Sequence, residues 1–145
     1  MNIAFFLTPK LSVSYIYDDF TLRQATEKMR HHGYTTVPII SRDGKYAGVL
    51  SEGDILWHII DMYKEQDTVE YRDLEKVSVR DVVVKSEAVR GRIAISPVRI
   101  TVQIDELVSA AMRQNFVPVI DDNDMFIGIV TRRAIIKHLY DRTEK

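Results

Sequence analysis

Residues 37–51 read VPIISRDGKYAGVLS, and residues 117–131 read VPVIDDNDMFIGIVT. Each stretch contains an apolar run that begins with Val-Pro, a polar turn, a second apolar run around a glycine, and a final Ser or Thr. The prolines and the glycines keep one spacing, because 118 − 38 and 128 − 48 both equal 80. A spacing held over such a length indicates two copies of one folded unit.

The sequence around the first stretch predicts the order β-α-β-β-α. Apolar residues three and four positions apart predict a helix, which Asp19 or Thr21 can cap and which Gly33 ends. A turn that closes on Gly44 predicts a hairpin. The predicted elements of this first copy are a strand over 13–17, a helix over 22–32, strands over 36–40 and 46–50, and a helix from 51 onwards.

The second stretch predicts the same order again. Its predicted elements are a strand over 98–102, a helix over 106–114 capped by Asp105, strands over 116–120 and 125–130, and a helix over 131–140. Residues 85–96 carry no periodic pattern, and the apolar residues 5–7 are predicted to pack on the core as a short helix or arm. The predicted division is a first repeat with the N-terminal arm (1–64), a connecting segment (65–97) and a second repeat (98–145).

Composition excludes several classes of protein. The chain has 145 residues, 46% of them hydrophobic, which suits one ordinary domain or two half-domains. Its 20 basic and 21 acidic residues give a net charge of −1, whereas a general nucleic-acid-binding protein usually carries a clear basic excess. We therefore expect no nucleic-acid partner, although a small anionic ligand needs only a local cluster of donors.

The absence of cysteine excludes disulfides and cysteine-ligated metal sites, and it is typical of a cytoplasmic protein. The apolar residues 3–7 form too short a run for a signal peptide, and no basic residues precede them. No other run approaches the roughly 18 apolar residues of a membrane span. We therefore expect a cytoplasmic protein without a membrane partner.

The doubled unit resembles the CBS-domain pair, or Bateman module. The resemblance covers essentially the whole chain and is carried by residues 7–9, 21–29, 37–54, 117–121 and 128–131. The end of the second copy is similar to that of small stand-alone bacterial CBS-pair proteins, some of which bind cyclic di-AMP. The resemblance implies an α/β (α+β) fold of tandem β-α-β-β-α repeats packed with pseudo-twofold symmetry.

The corner between the last strand and last helix of each copy has the chemistry of an anion site. The hydroxyl of Ser51 or Thr131 can cap the helix or donate to a phosphate, and the free N–H groups of the helix start favour negative charge. Arg132 and Arg133 would add charge-assisted phosphate contacts. Asp54 could accept hydrogen bonds from both hydroxyls of a ribose.

The resemblance implies two ligand clefts, each of which combines strands of one copy with the corner of the other. The first would contain Ser14, Tyr15, Tyr34, Thr35, Thr36 and Pro38 with Thr131, Arg132 and Arg133. The second would contain Val98, Ile100, Phe116, Val117 and Pro118 with Ser51 and Asp54. The first cleft has the arginines but places Ala134 where the second has Asp54, since 134 − 54 is 80. We favour the first cleft, because two arginines would meet the larger charge.

Each of these residues also has a purely structural interpretation. Ser51 and Thr131 can be plain helix caps, and Asp54 can simply favour the positive helix end. Arg132 and Arg133 can be ordinary surface arginines that form a salt bridge or remain solvated. Tyr34 and Phe116 are more often core residues than stacking platforms. The His31-His32 pair suits a helix C-terminus better than a metal, so we predict no metal site.

The leading hypothesis is a non-enzymatic adenine-nucleotide sensor of the AMP, ADP and ATP class that modulates an unidentified protein. Cyclic di-AMP is a close rival as the ligand. An interaction module with vestigial clefts is the second hypothesis, motivated by Ala134. An enzyme is the third, but the sequence offers no catalytic residues and implies no catalytic cofactor. A homodimer through apolar helix faces is expected from the resemblance, although the same faces would suit an intramolecular core.

Overall fold

The computed structural model describes residues 2–144, so Met1 and Lys145 at the ends of the predicted repeats lie outside the described residues. The strands are β1 (Leu7–Pro9), β2 (Ile16–Tyr17), β3 (Thr36–Ile40), β4 (Tyr46–Ser51), β5 (Val98–Arg99), β6 (Phe116–Ile120) and β7 (Phe126–Thr131). The helices are α1 (Leu22–His32), α2 (Glu52–Glu65), α3 (Val79–Ala88), α4 (Ile104–Arg113) and α5 (Arg132–Glu144). The mixed α and β fold and both β-α-β-β-α copies are confirmed.

The chain folds as two compact units. The first-copy unit contains residues 15–43 and 47–94, and the second-copy unit contains residues 2–14, 44–46 and 95–144. None of the helices within residues 2–144 is both long enough and apolar enough to span a membrane.

The first-copy unit is built on a three-stranded sheet in the order β2-β3-β4, with β2 parallel to β3. The predicted helix α1 begins at Leu22, where Thr21 and Gln24 form a reciprocal capping box, and it ends at Gly33 with a φ of 71°. Thr21 is therefore the cap, whereas Asp19 pairs with the Arg42 guanidinium at 2.8 and 2.9 Å. The buried core of this unit consists of Ile16, Leu22, Ala25, Met29, Val37, Ile39, Leu50, Ile55, Leu74, Val79, Val82 and Val83.

The second-copy unit is built on a four-stranded sheet in the order β1-β7-β6-β5. Strand β5 is parallel to β6 and keeps only two residues of the predicted strand over 98–102. Helix α4 begins at Ile104 after the N-cap Gln103, so the prediction that Asp105 caps it is wrong. The apolar Ile104 packs on the core, which extends the helix toward its N-terminus. The buried core consists of Ile3, Phe6, Leu107, Ala110, Ala111, Val117, Val119 and Val130.

The N-terminal residues belong to the second-copy unit, although the predicted division groups them with the first repeat. Strand β1 pairs antiparallel with β7, with Leu7 opposite Val130 and Pro9 opposite Gly128. Ile3 and Phe6, in the short 3₁₀ turn that precedes β1, are buried in the second-copy core. The arm is therefore a structural strand of the second sheet.

The connecting segment belongs largely to the first-copy unit. A 3₁₀ turn over Tyr71–Lys76 and helix α3 place Leu74, Val79 and Val82 in the first-copy core. Helix α3 continues to Ala88, into the stretch for which the sequence predicts no conformation. This placement brings the residues after α3 close to helix α2.

Candidate functional site

The corner between β4 and α2 is closed by a capping box. The Asp54 amide donates to Ser51 Oγ at 3.2 Å, and the Ser51 amide donates to Asp54 Oδ2 at 2.9 Å. Both side chains therefore stabilise the helix start, as their structural interpretation predicts. The Ser51 hydroxyl keeps its own hydrogen for donation, because its oxygen serves here as an acceptor.

The second carboxylate oxygen of Asp54 pairs with Arg92. Asp54 is only 3% exposed, and the Arg92 Nε lies 2.7 Å from Asp54 Oδ1. This contact is an ion pair, because the Nε–H is not aligned for a hydrogen bond with the oxygen. Arg92 Nη2 also donates to the carbonyl of Val49 at 3.1 Å and lies 3.8 Å from Glu87. Sequence reasoning missed Arg92 as a partner of Asp54, because residues 85–96 carry no periodic pattern. A buried acid that lacks a predicted counter-ion was the signal that could have pointed to it.

The corner between β7 and α5 has no carboxylate. The Ala134 amide donates to Thr131 Oγ1 at 3.1 Å, so Thr131 caps α5 as Ser51 caps α2. Ala134 has no polar side chain with which to complete a reciprocal box. The two corners thus share the hydroxyl cap and differ in the acid.

The two arginines of this corner have different surroundings. The Arg132 guanidinium donates to the carbonyl of Ala111 at 2.6 Å, to the carbonyl of Met112 at 3.2 Å and to Asn115 Oδ1 at 3.3 Å. It thereby satisfies carbonyls at the C-terminal end of α4. Arg133 is exposed and has no hydrogen bond or ion pair with any residue in the range 2–144. Arg133 is therefore the cation of this corner that is available to a ligand.

The first-copy residues of the predicted first cleft differ in exposure. Tyr15 packs edge-on against Tyr17, with ring centroids 5.8 Å apart, and Lys28 Nζ lies 5.2 Å from its ring centre. Burial, and then Tyr17, raise the pKa of the Tyr15 phenol. Thr36 is half-buried and Pro38 is buried.

Tyr34 is 45% exposed, so its interpretation as a core residue is wrong. Its ring stacks on that of His32 at 5.6 Å, which places it just beyond the C-terminus of α1. With Thr35 and Glu52, it lines a groove of 380 Å³ whose floor includes Ile55. The structure therefore brings Tyr34 and Thr35 together at an open surface.

Ser14 belongs to the second-copy unit and is the predicted site residue with an unsatisfied polar atom. Its Oγ is buried and has no hydrogen-bond partner within residues 2–144. A buried hydroxyl without a partner costs about 1–3 kcal/mol, so such an atom is a candidate for a ligand contact.

The strand residues of the predicted second cleft are mainly packing residues of the second-copy unit. Phe116, Val117 and Pro118 are buried in β6, where Phe116 lies opposite Thr131. Val98 and Ile100 are half-buried and pack against the second-copy core. The structural interpretation of Phe116 as a core residue is confirmed. Ser51 and Asp54 belong to the other unit.

A further polar cluster joins α2 to α3 and the residues after it. Asp61 pairs with Lys85 at 3.0 Å and with Arg90, whose guanidinium also lies 5.6 Å from the centre of the Trp57 ring. These two cations, Lys85 first, hold the pKa of Asp61 below its usual range. Beside them, the Nδ1 of His58 is buried and has no hydrogen-bond partner among the described residues.

His58 gives the protein a predictable pH dependence. Burial, and then the nearby Lys85, lower the pKa of His58 below its ordinary value of about 6.5. The unfolded chain therefore takes up the proton more readily than the folded protein does. As a result, the free energy of unfolding is not reduced by His58 above about pH 6.5, and it decreases as the pH falls below that value. We expect His58→Gln to lose less stability than the wild type between pH 7.5 and 5.5, measured by urea unfolding.

Asp61 does not interfere with that measurement, because its pKa is lowered from the ordinary carboxyl value and the carboxylate stays ionised over this pH range. Equal loss of stability in His58→Gln and in the wild type over this range would show that His58 does not carry the effect.

Within residues 2–144, no group of three or more His, Cys, Asp or Glu side chains could hold a metal ion.

Comparison with known families identifies both copies. The family model described as the CBS domain matches residues 9–61 and 91–141, which together make up well over half of the chain. An uncharacterised protein of Methanopyrus kandleri is 27% identical over 113 residues, which cover 76% of this chain and 49% of that protein. One from Methanocaldococcus jannaschii is 23% identical over 149 residues, covering 86% of this chain and 84% of that protein. The chain thus spans about half the length of the Methanopyrus relative.

Solved structures share the fold. A hypothetical conserved protein of Geobacillus kaustophilus superposes with a TM-score of 0.81 at 24% identity, covering 98% of each chain. The CbpB protein of Listeria monocytogenes, solved in complex with c-di-AMP, superposes with a TM-score of 0.80 at 22% identity, covering 99% of this chain and 98% of that one. These likenesses establish the architecture of a paired repeat.

Proposed function

The chain belongs to the CBS domain family, and we propose that it is a regulatory module that binds an adenine nucleotide and modulates a partner protein. The observation that carries this proposal is Arg133, an exposed arginine without a protein partner among residues 2–144, in the first turn of α5. It lies at a helix start whose hydroxyl cap has no neighbouring acid, because Ala134 stands where the other copy has Asp54. This corner therefore offers uncompensated positive charge.

We propose that the phosphate binds at the corner formed by Thr131 and the start of α5. The Thr131 hydroxyl can donate while it caps the helix, the first amides of α5 favour an anion, and Arg133 supplies charge-assisted hydrogen bonds. Arg132 has a positioning role in this proposal, because its contacts with the end of α4 hold it away from the ligand. Phosphate binding then depends on one arginine of the pair.

Each unit contains predicted residues that we propose for contacts with the base or the sugar. In the second-copy unit, the unsatisfied hydroxyl of Ser14 supports a polar contact. In the first-copy unit, the ring of Tyr15 and the exposed ring of Tyr34 support stacking. The half-buried Thr36 leaves room for a flat base.

Two classes of nucleotide are candidates for this site. AMP, ADP and ATP carry a terminal phosphate that suits a corner with one free arginine and a helix start. Cyclic di-AMP is supported by the structural likeness to CbpB, which was solved with that ligand. We propose no catalytic role, and the rival non-enzymatic proposal is an interaction module that binds no nucleotide at all.

The proposal is tested by titrating the wild type and two variants with AMP, ADP, ATP and cyclic di-AMP in a calorimeter. Losing a charge-assisted hydrogen bond costs about 1.5–3 kcal/mol, so we expect Arg133→Ala to weaken binding by about tenfold or more. Lys137→Ala is the matched control, because it removes an exposed cation one turn further along α5. We expect little change in affinity for this control.

Three results would count against the proposal. If folded wild type gives no heat with any of the four nucleotides, the interaction-module proposal is favoured. If Arg133→Ala and Lys137→Ala weaken binding equally, the effect is one of general charge. Strong binding that survives Arg133→Ala would place the phosphate elsewhere.

A homodimer and a regulated protein remain our proposals for the macromolecular partners. Their support is a set of exposed apolar side chains on two helices: Leu56, Trp57 and Tyr63 on α2, and Ile136, Leu139 and Tyr140 on α5. The nearly balanced net charge of −1 supports the proposal that nucleic acid is not among them.

A further inference from the structure

Arg92 occupies the corner of the first-copy unit that sequence reasoning assigns to a ribose. Its Nε pairs with Asp54 Oδ1 at 2.7 Å, and its Nη2 donates to the Val49 carbonyl at 3.1 Å. The other carboxylate oxygen of Asp54 accepts the Ser51 amide. Both oxygens of the acid are thus engaged within the protein.

Burial removes the acid from the surface. Asp54 is 3% exposed, so a ribose cannot reach its oxygens while Arg92 is in place. The Arg92 side chain is itself 21% exposed and supplies the positive charge that a buried carboxylate requires. The guanidinium therefore engages a carboxylate oxygen that a ribose hydroxyl could otherwise use.

The backbone and a second arginine hold Arg92 in this position. The Arg92 amide donates to the Ser86 carbonyl at 3.0 Å, which ties it to the end of α3. Two residues earlier, Arg90 donates to the Trp57 carbonyl at 3.2 Å and pairs with Asp61. Residues 90–92 (Arg-Gly-Arg) thus contact two acidic residues of α2, Asp54 in its first turn and Asp61 in its second half.

We propose that Arg92 determines how many nucleosides the chain binds, by keeping the Ser51 corner closed. This inference rests on the proposed function, in which the Thr131 corner takes the phosphate. The closed corner has no uncompensated positive charge, because Arg92 is paired with Asp54. It also has Glu52 at the position where the other corner has Arg132. Wild-type protein therefore binds one nucleotide per chain.

The same charges define what the corner would take if it were opened. Removing the Arg92 charge leaves Asp54 and Glu52 without a cation, and two carboxylates repel phosphate. Two ribose hydroxyls are neutral donors that a free carboxylate accepts. The opened corner therefore suits an uncharged nucleoside, and adenosine is the probe.

The experiment counts the adenosine molecules bound per chain, by equilibrium dialysis, in the wild type and in Arg92→Gln. We expect Arg92→Gln to bind one more adenosine than the wild type, and we expect Asp54→Asn, added to Arg92→Gln, to remove the extra site. Glu87→Gln is the matched control, since Glu87 also neighbours Arg92 but caps no helix start in the corner. This control is expected to bind as the wild type does.

Equal numbers of bound adenosine in Arg92→Gln and the wild type would overturn the inference, as would an extra site that survives Asp54→Asn. If the wild type binds no nucleotide but Arg92→Gln binds adenosine through Asp54, the inference stands and the proposed function fails. If neither protein binds adenosine, the inference is refuted, whereas the proposed function is refuted only if the wild type also gives no heat with the four nucleotides.

A measurement on the wild type tests the same idea if Arg92→Gln does not fold. Hydrogen exchange of the Arg92 amide, which donates to Ser86, is compared with and without saturating ATP and adenosine. We expect its protection to stay unchanged, because neither ligand enters the closed corner. Loss of protection with either ligand would overturn the inference.

Discussion

Replacing Gly128 with alanine is expected to destabilise the protein by about 2–5 kcal/mol, since steric overlap and backbone strain add together. Gly128 has a φ of 156°, and an added Cβ would lie well inside contact distance of the Thr8 carbonyl oxygen and 2.9 Å from Leu7 Cδ1. The atoms that it meets belong to strand β1, which pairs with β7 at this point. Urea unfolding of the variant and the wild type measures the loss.

Gly48→Ala is the matched control for that experiment. Gly48 is the equivalent glycine of the first copy and has a φ of 133°, but an added Cβ meets no atom within 4 Å. We therefore expect only the cost of the strained backbone, about 1–3 kcal/mol and smaller than the loss at Gly128. A loss at Gly48 as large as that at Gly128 would show that contact with β1 is not what the second glycine permits.

Asp54→Ala is expected to cost about 3–5 kcal/mol of stability, because removing one member of a buried ion pair leaves the other charge without a partner. In this protein, the group left behind is the Arg92 guanidinium, whose Nε lies 2.7 Å from the carboxylate. The variant also loses the acceptor of the Ser51 amide. Urea unfolding again measures the change.

The contribution of the capping interaction can be separated with Ser78→Ala. Ser78 Oγ accepts the Asp81 amide at 3.1 Å at the start of α3, and this contact includes no ion pair. Losing such a cap costs about 1 kcal/mol. If Asp54→Ala costs no more than Ser78→Ala, the pair with Arg92 contributes nothing measurable to stability.

The repeated segments could be predicted from the sequence because their structure depends on local patterns. Helix α1 has the predicted bounds, since its apolar spacing, capping residue and terminating glycine lie close together in the chain. Strands β3 and β6 have the predicted bounds for the same reason. Local chemistry also predicts the hydroxyl caps at Ser51 and Thr131.

Contacts between distant residues could not be predicted in the same way. The pairing of β1 with β7 depends on which sheet edge is available, and no short-range pattern in residues 7–9 encodes that choice. The Arg92 contact with Asp54 depends on where α3 ends. The adjacent Arg132 and Arg133 look alike in the sequence, but only Arg132 reaches the carbonyls at the end of α4.

The pairing of β1 with β7 has a consequence for the order in which the chain folds. The three-stranded sheet uses strands that lie close together in sequence, so it can form through short loops. The four-stranded sheet must bring Leu7 to Val130, across nearly the whole length of the chain, so it pays the larger entropy of loop closure. Until β7 forms, both edges of β1 are unpaired. Pro9 has no N–H to donate to a wrongly paired strand, which protects β1 from mispairing until β7 forms.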